Sequence, residues 1–242
     1  MGMETVETPK ADGLKTALDT IVAPGEAFER LRSAPTWGWA YLITLVLYML
    51  GSFLLIPAIV HGTQAGWAAQ VAENPRLAAL SPDQLRNALN ISITVVRFAW
   101  LFPLIVLPLY ILIQTIVLLV FKAIGRGDAG FGQIWAAVTN ITVPTLGIGA
   151  VVLALIAIVR GADSFGTSFE VQTAMPSLAM LAPGAPVKLH GFLAAFTPFT
   201  LWGAWLMATA MSVTARVPKG VAYAAGATVL LIGALFTMLG AR

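Results

Sequence analysis

Few residues in this chain have types that could do chemistry, and they lie far apart. The histidines are His61 and His190. A pair of imidazoles can hold a metal, but a site needs further carboxylate or thiolate ligands beside it. No cysteine is present, and no acid neighbours either histidine in a ligand-like spacing. Gly125-Arg126-Gly127-Asp128-Ala129-Gly130 matches G-x-G-x-x-G. That pattern binds a pyrophosphate when it follows a strand and opens a helix in a βαβ unit. Here it follows a long apolar run, so we read it as a sharp turn whose glycines supply positive φ. Serine, threonine and asparagine occur within apolar runs, but no base is spaced to activate them as nucleophiles. Arg97 stands at the edge of such a run, able to reach a lipid phosphate or to snorkel towards the headgroups. The expectation is a protein without catalytic, metal or cofactor-binding residues.

The elements that must carry these residues are set by five stretches, 37–60, 98–121, 134–159, 192–215 and 220–241. None contains Asp, Glu, Lys or Arg. A hydrocarbon core about 30 Å thick is crossed by roughly 20 apolar residues of helix. Backbone polar groups find no water there, so each stretch is expected to be helical. The fold class expected is an all-α polytopic membrane protein, a five-transmembrane-helix bundle with short interfacial helices. Hydrophobic residues make up 58% of the chain and charged residues 10%. The second figure is far below the roughly 25% of a soluble domain, and no separate soluble domain is expected. A net charge of +3, spread along the chain, makes no clustered basic face for nucleic acid. Acidic residues are absent from all five stretches, which argues against proton relays, ion-coupled pumping and intramembrane hydrolysis.

Lys and Arg set the orientation. With five spans, one side carries Lys10, Lys15, Arg30, Arg32, Lys122, Arg126, Arg216 and Lys219 on short segments. The other carries Arg76, Arg86, Arg97, Arg160, Lys188 and Arg242 on longer ones. The N-terminus is therefore expected in the cytoplasm. The expected location is a bacterial plasma (inner) membrane, suggested by the missing cysteine and the Ala/Gly-rich composition.

Residues 1–13 read as a disordered tail and 14–242 as one membrane domain. Over 14–34, Leu14, Leu18, Ile21, Phe28 and Leu31 recur at helical spacing. Pro24 divides this into two pieces, with Glu26 and Arg30 paired i, i+4 on the wet face. An interfacial helix with Phe28 and Leu31 turned to lipid is one reading; packing on the bundle's own loops is the other. Trp37, Trp39 and Tyr41 form an aromatic belt opening the first span, which ends near Pro57. Ser81-Pro82-Asp83-Gln84 is a helix start with a capping box. Surface helices are expected at 64–74 and 82–93.

Inside the spans, Asn140, Thr142 and Pro144 stand together, and Thr142 can serve backbone that the proline frees. Trp202 lies near mid-bilayer and is expected to face the bundle, pack near Pro144 and donate its indole N–H there. Gly226, Gly233 and Gly240 repeat every seven residues, a small-residue stripe read as packing within the chain. The candidate lipid or partner contacts are Phe28, Leu31, Trp37, Arg97, Asn140, Pro144 and Trp202.

Several of these segments resemble a known family. The stretch from Ile21 to Leu31, followed by Pro35-Thr36-Trp37, resembles the opening of the Yip-family domain, P-x-x-x-F-x-x-L-x-x-x-P-x-W in its prokaryotic members. Leu80-Ser81-Pro82-Asp83-Gln84-Leu85 resembles the helix before that family's second span. Gly130-Phe131-Gly132-Gln133-Ile134 with Val143-Pro144 resembles its third-span motif, and Pro198-Phe199-Thr200-Leu201-Trp202 its fourth-span F-x-L-W. The resemblance covers about residues 18–240, in order. It implies five transmembrane helices, a cytoplasmic N-terminus, no catalytic residues and, in eukaryotes, contacts with prenylated Rab GTPases and with family members. This chain lacks the Asp-Leu-Tyr-Gly-Pro motif of the eukaryotic members. The function expected is a membrane-organising or scaffold role. The alternative is lipid handling or small-solute transport, through a cavity among proline-bent helices lined by Arg97, Asn140 and Trp202. The partners expected are membrane lipids, with membrane-protein partners or self-association, and no nucleic acid.

Overall fold

The computed structural model describes residues 12–241, and every regular element among them is helical. Asp12 caps the first helix through its carboxylate, so α1 (Gly13–Val22) begins inside the segment read as tail; residues 1–11 lie outside the described part. Pro24 at its first position starts α2 (Pro24–Ser33). The first long helix, α3 (Gly38–Ala65), does not stop at Pro57 but runs through it. Short helices α4 (Trp67–Glu73), α5 (Pro75–Ala78) and α6 (Pro82–Phe98) follow. The capping box at Ser81 and Gln84 is formed. A 3₁₀ turn at Ala99–Leu101 then separates α6 from α7 (Pro103–Ile124), so the second crossing starts five residues later than its apolar run.

The third crossing is composite: α8 (Phe131–Thr142), a π-helical turn (Val143–Ile148) and α9 (Gly149–Arg160). After a surface segment containing α10 (Ser168–Gln172) comes a broken element, α11 (Val187–Ala194) and α12 (Pro198–Val213), bent by 54°. The last helix is α13 (Lys219–Gly240). Four helices among the described residues are long and apolar enough to cross a membrane, and the bent pair makes a fifth crossing if taken as one span. Alone, the 16 residues of α12 reach only about 24 Å, short of a 30 Å core. With α11 the reach is sufficient. Val217, beyond the end of α12, packs on the α7–α8 turn, while at the other end Lys188 Nζ donates to Ala241 O at 2.8 Å, beyond the end of α13. The pair thus covers the same height as α13.

Close helix approach depends on missing side chains. A Cβ on Gly51 of α3 would lie 2.6 Å from the Ala150 carbonyl carbon of α9, and one on Gly226 of α13 would lie 2.2 Å from Ala204 O of α12. The largest core cluster gathers Phe28, Leu31, Leu107, Ile111, Leu118, Ile134, Val138, Ile141, Leu206 and Met211, all fully buried. It lies towards the N-terminal end of the bundle. The outer face of α7, with Ile105, Leu109, Ile113, Ile116 and Val120 exposed, presents a continuous apolar wall, as a lipid-facing helix would.

Candidate functional site

Two interruptions in the helices meet in one place. At Pro144 the missing N–H and the ring's bulk prevent an ordinary α turn, and the backbone opens into the π turn. The carbonyls loosened there are served locally. Val143 N–H donates to Asn140 O. Thr142 Oγ1 donates to Thr139 O at 2.6 Å, and Thr145 Oγ1 to Ile141 O at 2.8 Å. Thr142 also shares a 3.0 Å hydrogen bond with Thr44 of α3. The second interruption is the 195–197 break. Pro198 opens α12 at a position where its missing N–H costs nothing. Thr197 caps it, accepting from Thr200 N at 3.2 Å while Thr200 Oγ1 accepts from Thr197 N at 2.9 Å.

Between these interruptions lies a cavity of about 250 Å³. Its walls come from α7 (Tyr110, Gln114), the π turn (Thr145, Leu146), α10 and the residue after it (Gln172, Thr173), the break and α12 (Thr197, Thr200, Gly203, Met207) and α13 (Val229, Gly233, Thr237). It extends from mid-bundle to the surface segment, and Thr200 and Gly233 are exposed in it. Among the described residues no Asp, Glu, Lys, Arg or His lines it. Gln114 is buried, and its Oε1 has no hydrogen-bond partner. A buried polar atom left unpaired is expensive and calls for an explanation.

A second polar cluster closes the N-terminal end. Arg32 donates to both Asp128 oxygens, at 3.0 and 2.7 Å, and to Thr214 O at 3.1 Å. Gln133 at the start of α8 donates to Arg32 O, and Thr214 Oγ1 donates to Phe28 O at 2.9 Å. The guanidinium hydrogen-bonded to Asp128 holds that carboxyl below its usual range, with Arg216 adding to the field, and Asp128 in turn raises Arg32. These bonds tie α2 to α8 and to the turn after α12.

The family model of the Yip1 domain matches residues 18–240, nearly the whole chain. The chain belongs to the Yip1 family. No curated protein and no solved structure matches it significantly. The resemblance read from the motifs is thus established at the level of the family, together with its membrane character and all-helical fold.

In this Yip1 protein the family-like motifs do structural work. Phe28 and Leu31 of the opening motif are fully buried in the main core. The lipid-facing reading of these two is therefore corrected: the bundle's own helices cover them. Arg30 does not pair with Glu26 but with Asp19 of α1, because α1 and α2 pack together and bring that carboxylate closer. Leu14, Leu18 and Val22 of α1 stay exposed. Trp37 is exposed and stands edge-on to Tyr41 and Trp135. Asn140 is buried, donating from Nδ2 to Thr36 O at 2.9 Å and Ala136 O at 2.8 Å. It fastens α8 to the segment before α3.

The cavity lining anticipated from sequence is also corrected. Arg97 is exposed on α6, Asn140 faces Thr36, and Trp202 is half-buried on the main cluster; none of the three lines the cavity. Pro144 is buried and shapes the π turn beside it. Trp202 forms no indole hydrogen bond among the described residues, since threonine hydroxyls and the Val143 N–H already serve the carbonyls around Pro144. The glycine turn is corrected too. Gly125 and Gly130 have negative φ, and the left-handed residue is Arg126, at φ 53°. Gly125 and Gly127 are needed for space: a Cβ on Gly127 would lie 2.4 Å from Ala215 O. The histidines are far apart in role. His61 Nδ1 lies 3.2 Å from Phe165 O and its Nε2 lies 3.5 Å from Asp163. No group of three or more His, Cys, Asp or Glu is arranged around one point among the described residues. Sequence reasoning missed Gln114, Thr200 and Thr237. A signal existed in Gln114, a lone amide inside an otherwise apolar run.

Proposed function

We propose that this Yip1 protein is a non-enzymatic membrane protein that takes a small neutral solute or a lipid headgroup into the cavity at its broken span. The observation that carries this reading is the meeting of the π turn and the α11–α12 break at an uncharged, polar-walled space holding an unpaired amide oxygen. Interrupted helices at membrane depth are tolerated where they line a cavity, and in secondary transporters such interruptions build the binding site. The organising role is the second reading. It is favoured by α6, which buries no residue and leaves Ile91, Val95 and Phe98 exposed beside the bundle. The Lys and Arg distribution supports a cytoplasmic N-terminal end, and the missing cysteine and Ala/Gly-rich composition support a bacterial plasma membrane.

The test is reconstitution into proteoliposomes, with assays of lipid flip-flop and of small neutral solute entry. Gly233→Leu supplies the control, because a Cβ there meets nothing within 4 Å and the longer side chain fills the cavity. We expect movement or binding by the parent protein and its loss in the variant, at an unchanged melting temperature. If the parent protein moves and binds neither class, the cavity reading falls and the organising role takes its place.

A further inference from the structure

The cavity's hydrogen-bonding groups are not evenly divided between donors and acceptors. Thr145 Oγ1 donates to Ile141 O at 2.8 Å, Thr173 Oγ1 to Phe169 O at 2.8 Å, Thr200 Oγ1 to Ala195 O at 2.6 Å and Thr237 Oγ1 to Gly233 O at 3.1 Å. A hydroxyl has one proton and two lone pairs. With each of these protons committed to a backbone carbonyl, Thr145, Thr173 and Thr237 offer the cavity acceptor oxygen, whereas the Thr200 oxygen already accepts from Thr197 N–H at 2.9 Å and meets Thr197 Oγ1 at 3.1 Å. Gln114 adds a buried amide oxygen with no partner. A half-turn about its last torsion exchanges the two ends of the amide, so either end can address a guest. The remaining donors on the wall are the Tyr110 phenol, the Thr197 hydroxyl, which meets Thr200 Oγ1 at 3.1 Å, and the Gln114 and Gln172 amides.

Charge narrows the choice of guest. No carboxylate among the described residues lines the cavity, so an ammonium ion entering it would lose its hydration with no counter-charge to replace it. No basic side chain among the described residues lines it either, which disfavours a phosphate or carboxylate for the same reason. Size narrows it further: a cavity of about 150 Å³ admits benzene, and this one is about 250 Å³.

We infer that the cavity selects a neutral, hydroxyl-bearing group of polyol type, either free or as the glycerol hydroxyl of an uncharged lipid. The inference rests on the cavity being a binding site, as proposed above. A hydroxyl donates to the threonine oxygens or to Gln114 and accepts from an amide or from Tyr110. Its carbon skeleton lies against Leu146, Met207 and Val229.

The test uses purified full-length protein and separates the two sources. In the lipid arm, dioctanoylglycerol, its hydroxyl-acetylated analogue and an analogue with an ammonium in place of the hydroxyl are titrated into the protein in micelles. In the free-polyol arm, glycerol entry into proteoliposomes is followed by light scattering. Saturable binding of dioctanoylglycerol, weakened about tenfold or more by acetylation, supports the inference with a lipid as the source. Protein-dependent glycerol entry supports it with a free polyol as the source. In either case Gln114→Leu and Thr237→Val must reduce the signal. Gln114→Leu removes the unpaired oxygen together with an amide that hydrogen-bonds Tyr110, so its melting temperature is measured beside its binding, and Thr237→Val is the second variant. Three results overturn the inference: equal binding of the acetylated analogue, tighter binding of the ammonium analogue, or full activity in either variant. If the signal in those cases is still lost in Gly233→Leu, the cavity remains a binding site and only the hydroxyl selectivity fails. If neither arm gives any signal, the proposed function fails with it.

Discussion

Asn140 and Trp202 are both polar-tipped side chains inside the spans, and the structure uses them differently. Asn140 holds two carbonyls from full burial, at 2.9 and 2.8 Å. Asn140→Ala leaves Thr36 O without its donor, so it is expected to destabilise the protein by about 1–3 kcal/mol, read as a lower melting temperature in detergent. Trp202 contributes contact area without a hydrogen bond. Trp202→Phe keeps most of that area and is expected to cost under about 1.5 kcal/mol. A melting point as low as that of Asn140→Ala would show that the indole N–H has a partner after all. Arg32 and Asp128 lie outside the spans, and pH reports on them. Asp128 is held below its unfolded carboxyl value, near 4, so its stabilising contribution is complete above that range. It is lost as pH falls through the lower folded value. Melting temperatures taken from pH 7 down to pH 3 should fall less steeply for Asp128→Asn than for the parent, and parallel curves would remove the pair from the account. Asn140 stands out in the sequence beside Thr142 and Pro144. Gln114 is also an amide within an apolar run, but which of the two borders empty space depends on how four helices meet, and no local pattern carries that.

At the scale of the elements, spacing of small residues and spacing of contacts diverge. Gly226, Gly233 and Gly240 repeat evenly in sequence, yet only Gly226 is pressed against a neighbour, 2.2 Å from Ala204 O for an added Cβ; Gly233 and Gly240 meet nothing. Gly226→Ala is therefore expected to be overpacked and to cost about 1–3 kcal/mol or more. Gly233→Ala should be neutral or slightly stabilising, because alanine is the better helix former. Equal losses at both positions would contradict this packing. Proline is similarly ambiguous in sequence. Pro57 sits within a continuous α3, Pro103 and Pro198 open helices, and Pro144 opens the backbone into a π turn. Each follows the same rule about the missing N–H, and the neighbours decide the outcome: Thr142 and Thr145 repair the carbonyls at Pro144, and Thr197 caps the helix at Pro198.

For the whole molecule, the apolar runs made the helices legible, because lipid leaves the backbone no other way to satisfy its polar groups. Their ends were less legible, since residues just outside the hydrocarbon can extend a helix at little cost, as α3 does to Ala65. The docking of α2 was open between lipid and protein, because an amphipathic pattern states which face is apolar and not what covers it. Phe28 is the anchor of that docking, fully buried among helices distant in sequence. Phe28→Ala is expected to cost about 3–5 kcal/mol, measured by melting in detergent, with increased protease cleavage around residues 22–24. A change within experimental error would mean that α2 rests on lipid.

The break in the fourth crossing has a consequence in time. During synthesis α11 and α12 emerge before α13, the helix that α12 fits through Gly226. Neither half is long enough to cross by itself, and both are held as one crossing by α13, on which Gly191 of α11 and Ala204 of α12 pack closely. The nascent pair lacks those contacts until its C-terminal neighbour arrives, and the last two crossings are expected to enter the bilayer together. A chain truncated at residue 218 should leave a reporter at its end on the side opposite to the one that the 216–219 turn occupies in the full-length protein. A reporter already on the full-length side would show that the broken span inserts alone.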